Sequence, residues 1–247
     1  MVADGVTAAL AADDKLVRTQ VKLTIPETNP EMDVYRIGTL LEMVRELVTS
    51  LCADGKPVKV CVQGSMGRGV FTALPLALSG VNRILENMDW GDAEEFVRFG
   101  AIGADEVDDS YAYIIVAPQN MVGASVIESL EEMSKKVEED GKRIILVNPK
   151  LEDRASSGGV MGVRGRSDRL AFAATFDTIV AFRLLYTQGT FYPIVGALRY
   201  VYGEGRKWEI YDRVDLPKRQ ERYDLIATFD SEPTTSDITE SFARVYG

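Results

Sequence analysis

Apolar and polar positions recur along this chain with a period that changes, and each change marks an element. Val58, Val60 and Val62 with Cys61 form a short apolar, β-branched run, the mark of a buried strand. Gly64, Gly67 and Gly69 interrupt the chain, and an apolar, helix-like segment follows from Val70 to about Asn87. Pro75 inside it predicts a kink or a late start. Strand, glycine-rich turn and helix make the opening half of a βαβ unit. Further on, Ala112 to Val116 is a continuous apolar run and Arg143 to Val147, RIILV, reads as another buried strand, each closed by a proline two residues later. Between them Val126, Ile127, Leu130, Met133 and Val137 recur at helical spacing, so Val122 to Asp140 reads as an amphipathic helix. Glu131–Lys135 and Glu132–Lys136 are expected to pair on its outer face, and Gly141 to cap it. Glu95 to Ile102 reads as another strand of the same sheet.

The segments on either side fit around this frame. Val6 to Ala12 is alanine-rich and predicts a short helix, and Leu16 to Ile25 alternates like a strand with one wet face. Pro26 ends that strand. Met32 to Ala53 carries an apolar stripe, Ile37, Leu40, Leu41, Val44, Leu47, Val48 and Leu51, closed by Gly55 and Pro57. Leu151 to Arg169 is polar and glycine-rich, which predicts a long mobile loop. Phe172 to Tyr186 is a dense aromatic and aliphatic run. Trp208 to Arg213 and Tyr223 to Phe229 alternate like antiparallel strands. Thr234 to Tyr246 begins with a capping sequence, and Ile238, Phe242 and Val245 share one side of the helix it predicts. The expected fold is therefore α/β: a mainly parallel, Rossmann-like sheet with helices on both faces, extended by antiparallel strands and a closing helix. One domain over 1–247 is expected, with its parallel part at 58–148 and a mixed part at 170–247.

Composition changes this picture mainly by exclusion. The chain has 247 residues, 28 Lys+Arg against 38 Asp+Glu, a formal charge of −10, and no histidine. The negative balance opposes a bulk nucleic-acid binder. Without histidine, Ser-His-Asp and Cys-His catalysis, histidine metal sites and the commonest general base near neutral pH are all excluded. No catalytic residue, metal or cofactor is expected. Cys52 and Cys61 fit no zinc spacing and read as two buried thiols rather than a disulfide. No apolar run approaches the roughly 20 residues of a membrane span. The start, MVADGVTAALAADD, is acidic and unlike a transit peptide; either the protein stays where it is made or this chain begins after processing.

Three stretches carry candidate chemistry. Gly64, Ser65, Gly67 and Arg68 form a possible anion site: bare amides, a hydroxyl and a guanidinium at a helix start. The plainer reading is a tight turn packed on the sheet, since the pattern matches neither the Walker sequence nor GxGxxG. Arg154, Arg164, Arg166 and Arg169 make a basic loop on an acidic chain, suited to an anionic partner or paired to Asp153 and Asp168 in a solvated loop. Asp105, Glu106, Asp108 and Asp109 lack the pattern of a calcium loop and read as a solvated turn. Tyr186, Phe191, Tyr192, Tyr200, Tyr202 and Trp208 form an aromatic belt, either core or contact surface.

The order of motifs carries a resemblance. APQNMVG from Ala117, VNPKLED, GVRGRSDRLAFAATFDTIVAFRLLY, GTFYPIVGALRYVYG, WEIYDRVD and RYDLIATFDSEPTTSDI together resemble a family of plastid and cyanobacterial proteins. Its members include the Low Photosystem II Accumulation proteins and the C-terminal domain of a plastid adenylate-kinase-like protein. The glycine loop departs from the resemblance: GSMGRG stands where many members have an Asp-containing turn. The resemblance implies a non-enzymatic chloroplast stromal protein, peripheral to the thylakoid membrane. It would act as a peripheral subunit or assembly factor on photosystem core proteins. The expected contact residues are Arg154, Arg164, Arg166, Arg169, Phe191, Tyr192, Arg199 and Tyr200. The alternative is an enzyme that binds a nucleotide or phosphate ester with the Gly64–Gly69 loop, beyond the carboxyl ends of the strands, where Gly64 and Pro118-Gln119-Asn120 fall.

Overall fold

The structure is a computed structural model that describes residues 1–12, 16–29, 34–64, 80–120, 125–151, 165–187, 193–203 and 205–246. These contain nine strands and six α-helices. The single expected domain groups into two compact units. One holds residues 12–21 and 36–178, the other residues 1–11, 22–35 and 179–247.

The first unit is built on parallel strands. β2 (Val58–Val62) lies between β3 (Val97–Ala101) and β4 (Ala112–Val116), and β5 (Arg143–Val147) follows β4. β1 (Arg18–Thr24) runs beside β5, with Arg18 opposite Ile144 and Val21 opposite Val147. The order is therefore β3-β2-β4-β5-β1. β2 and β4 are buried at every position, which is why their sequences, Lys59 apart, are continuous apolar runs rather than alternations. β1 does not keep the expected wet face. Thr19 and Gln20 are buried with Val21, because β5 flanks them and the Gln20 amide donates to the Phe176 carbonyl at 2.8 Å.

Helix α4 (Ile127–Glu139) lays Ile127, Leu130, Met133 and Val137 on one face of this sheet. They meet Cys61, Tyr113, Ile115, Ile144 and Leu146 there. A Schellman turn closes the helix: Gly141, at φ 67°, donates to the Glu138 carbonyl, and Lys142 to that of Val137, both at 2.9 Å. Glu131 and Lys135 pair at 2.9 Å as expected, whereas Lys136 reaches the Ala104 carbonyl. Helix α2 (Ile37–Cys52) buries the predicted stripe from Leu40 to Leu51, leaves Ile37 half-buried and contacts β2, and the short α3 (Val81–Glu86) contacts β3. The predicted loop 151–169 ends earlier than expected. Arg166 to Ala173 is helix α5, anchored by Phe172, which meets Phe176 edge-on at 5.5 Å.

The second unit is antiparallel. β6 (Asp177–Tyr186), β7 (Ile194–Val201), β8 (Trp208–Leu216) and β9 (Gln220–Phe229) follow one another in space as in sequence. Ala181, Leu185, Leu198, Trp208 and Ile210 form a core on one face, beneath Ile238 and Phe242 of α6 (Thr235–Tyr246). Thr234 caps α6 reciprocally. Its hydroxyl accepts from the Asp237 N–H at 3.2 Å, and its own N–H donates to the Asp237 carboxylate at 2.8 Å. Val245 leaves the expected apolar side and is exposed. Helix α1 (Val2–Ala11) packs through Gly5 against Val180 and Val201.

Candidate functional site at the carboxyl edge of the parallel strands

The strand order dictates where a crevice opens. β3 follows β2 on one side, and the chain then crosses to place β4 on the other. Connections leaving two neighbouring strands in opposite directions part above their carboxyl ends, where open α/β sheets bind ligands. Here that point lies above β2 and β4. Gln63 and Gly64 close β2; Ala117-Pro118-Gln119-Asn120 close β4; Asn148-Pro149-Lys150 close β5.

Hydrogen bonds bind these ends together. The buried Gln63 accepts from the Gln119 N–H through its side-chain oxygen at 3.1 Å. Ala117 N–H donates to Val147, Lys150 N–H to Pro118 and Asn120 N–H to Lys150, at 2.8, 2.8 and 3.1 Å. The Asn120 amide donates to the Leu151 carbonyl at 2.7 Å, while its oxygen accepts from Ser125 and the Val126 N–H, so it ties the edge to the start of α4. The two corners repeat one device. Ala117 at φ 44° and Asn148 at φ 48° each precede a proline. Left-handed backbone at non-glycine residues stores roughly 1–3 kcal/mol and collects at ligand sites. Residues 63–64, 117–120 and 148–151 bring amides and one ammonium, with no acid among them. Such a set is equipped to hold an anionic or strongly polar group.

Of the predicted anion site, Gly64 falls at this edge, exposed at the end of β2. Among the described residues, a Cβ there would meet only Ala101, at 4.0 Å. Ser65, Gly67 and Arg68 lie outside the described residues. So do Arg154, Arg164, Phe191 and Tyr192 of the predicted contact set. Arg166 is exposed and Arg169 half-buried in the first turns of α5, in the parallel unit. Arg199 and Tyr200 lie on β7, in the other unit. Arg199 pairs with Glu209 at 2.7 Å, and Tyr200 stacks on Trp208 with ring centroids 4.9 Å apart. Both are engaged within the sheet.

One cluster escaped the sequence reading. Lys59, the lone cation in the β2 run, is buried and pairs with Glu106 at 2.8 Å and Asp108 at 3.3 Å. The acidic stretch 105–109 is therefore not simply a solvated turn. Burial opposes the charge of Lys59, but hydrogen bonds to Glu106 and Asp108 outweigh it and hold the ammonium above the usual lysine range. Burial likewise works against Asp108, yet hydrogen bonds from Ser110 and the Lys59 charge hold its carboxyl well below the usual range. Tyr113 completes the cluster, its hydroxyl accepting from the Asp108 N–H at 2.9 Å and donating to the Asp108 carbonyl at 2.8 Å. Burial pushes the neighbouring Cys61 thiol up to about 12, which removes it as a nucleophile near neutral pH. Both cysteines are free and buried.

Fold and edge together define a mixed α/β protein with hydrogen-bonding groups gathered at its open strand ends. No helix among the described residues is long and apolar enough to cross a membrane. The sequence matches the family described as Domain of unknown function (DUF1995) over residues 2–240. The chain belongs to that family.

Proposed function

We propose that this protein is a non-enzymatic docking protein of the chloroplast stroma, held at the stromal face of the thylakoid membrane by photosystem core proteins, as a peripheral subunit or assembly factor. The observation that carries the reading is the surface of α5. The helix is anchored from beneath by Phe172, and outward it offers Arg166 beside an exposed Leu170. Arginine is among the side chains that interface hot spots favour, and an exposed leucine beside it adds apolar surface for a partner to cover. The resemblance in motif order to the Low Photosystem II Accumulation proteins supports the choice of partner, and the formal charge of −10 makes a basic contact stand out. The test is affinity capture from solubilised thylakoids. The wild-type chain is expected to bring down photosystem core subunits, and Arg166→Glu with Leu170→Asp to weaken capture about tenfold or more. Recovery of no core subunit by a folded wild-type chain overturns the reading.

The corners at Ala117 and Asn148 favour a second reading: a Rossmann-like site for a phosphate ester above β2 and β4, continued by the Gly64–Gly69 loop. A ligand present at about 100 times its dissociation constant adds roughly 2.7 kcal/mol, a shift of about 5 °C or more for a chain of this size. Thermal unfolding with ATP, NAD and sugar phosphates reads this out, and Lys150→Glu is expected to abolish the shift. An unmoved transition with all of them removes this reading and leaves the first untouched.

A further inference from the structure

We infer that β9 is a self-complementary edge through which two copies of this chain pair, antiparallel, about an axis at Tyr223. β9 ends the order of antiparallel strands, and no strand flanks its outer side among the described residues. Such an edge carries a row of backbone donors and acceptors open to another strand. The stretch available for regular pairing is bounded at both ends. The turn Pro217–Arg219, with Lys218 and Arg219 left-handed, precedes it. The register shift between Ile210 and Tyr211, which leaves Ile226 extra on β9, ends it. What remains is Gln220 to Leu225, whose centre falls between Arg222 and Tyr223, and an axis at Tyr223 pairs Glu221 to Leu225 with the same residues of a copy.

Charge selects that same register. With Tyr223 opposite Tyr223 of the second copy, Arg222 lies opposite Asp224, and Asp224 opposite Arg222. Moving the axis to residue 222 sets Arg222 against itself, and moving it to 224 sets Asp224 against itself. Within one chain Arg222 already grips Asp224 through two bonds of 2.7 Å. Pairing would close these groups into a ring of four charges with alternating sign. On the opposite face Tyr223, 36% exposed, would meet its copy, and Leu225, 52% exposed, would be covered by the stem of Glu221. Edges built to stay single carry charged side chains, prolines or bulges; over Gln220 to Leu225 the two charges of β9 that would meet a copy are opposite in sign and attract one. The occupant that fits is a second copy of this chain, and the inference stands apart from the α5 surface, which these residues do not include.

Sedimentation velocity of the full chain over a range of concentrations tests it. The wild type is expected to form dimers, and Arg222→Asp and Asp224→Arg each to weaken dimerisation about tenfold, because symmetry replaces two attractive cross-strand pairs with two repulsive ones. The doubly exchanged chain, Arg222→Asp with Asp224→Arg, restores the alternation and is expected to dimerise again. Circular dichroism establishes that each variant is folded. A wild type that stays monomeric up to millimolar concentration, single variants that dimerise like the wild type, or an exchanged chain no better than the singles each overturns the proposal.

Discussion

Replacing Lys59 with methionine is expected to destabilise the parallel unit by about 3 kcal/mol, the low end for breaking a buried ion pair. The low end applies because Glu106 and Asp108 keep about a third of their side-chain surface exposed, while Lys59 keeps 9%. Methionine fills much the same volume, so the loss reports the two carboxylates stripped of Lys59, with Asp108 keeping only the longer pair to Arg98 at 3.6 Å, rather than a cavity. Adding Glu106→Gln and Asp108→Asn to Lys59→Met is expected to recover most of it, since a neutral set leaves no stranded charge. The chain supplies its own reporter. Trp90 belongs to the parallel unit and Trp208 to the other, and there are two tryptophans in all. Urea unfolding followed by fluorescence in a Trp208→Phe background therefore reads the parallel unit. Recovery absent from the triple variant would mean that Lys59 acts by packing alone.

The same cluster predicts the acid limb of stability. Asp108 has a folded value below its unfolded one. Its contribution is fully present above the ordinary carboxylate value of about 3.9 and is lost as pH falls through the lower, folded value. Lys59 lies on the other side: held above the ordinary lysine value of about 10.4, it contributes fully below that pH and loses its contribution as pH rises beyond it. Between those limits neither group bends the curve. Lys59→Met is expected to make the acid limb below about pH 4 shallower without removing it, because the Lys59 charge is gone while the hydrogen bonds from Ser110 still depress Asp108.

What could be read from the sequence followed burial. β4 and β5 have the expected boundaries, and β2 fills the run Val58–Val62. Strands enclosed on both faces leave no polar position to blur their ends. Gly141 was legible as a cap because a left-handed residue after a helix is a local demand. Helix α5 was missed for the opposite reason. It has eight residues, its first turn is Arg-Ser-Asp-Arg, and Phe172 alone is fully buried, so no period can develop. β7 was hidden by Gly196 and Arg199, which break its apolar run, and by aromatic residues that suggested a surface. Tyr200 is half-buried and stacks on Trp208. The edge at Gln63, Ala117 and Asn148 was half visible. Two prolines after two apolar runs mark strand ends, but the positive φ before each exists only in the fold. Lys59 was conspicuous as a cation within Val-Lys-Val, yet its carbonyl partner on Glu106 lies 47 residues on. No local pattern joins them.

The glycine that obscured β7 carries the second large expectation. Gly196→Ala is expected to destabilise the antiparallel unit by about 3 kcal/mol, at the upper end for overpacking. The reason is steric and has two parts. An added Cβ would collide with the backbone carbonyl of Tyr211 and come within 2.8 Å of the Phe242 ring. The ring belongs to a side chain and can turn aside. The carbonyl cannot, because β8 is hydrogen-bonded to β7 on one side and to β9 on the other. Relief must come from parting β7 and β8 where α6 seats Phe242 in the core. Phe242→Ala separates the two parts. Alone it costs about 2–3 kcal/mol through lost burial, less than a fully buried phenylalanine, because Phe242 is half-buried. Combined with Gly196→Ala, the ring contact vanishes and the carbonyl clash stays, so the pair should fall short of additivity by no more than the ring's share. Unfolding in a Trp90→Phe background reads this through Trp208, which lies in the same core as Phe242. A loss below about 1 kcal/mol for Gly196→Ala would show that β7 and β8 can part freely, and that the glycine is there for some reason other than the close approach of the two strands.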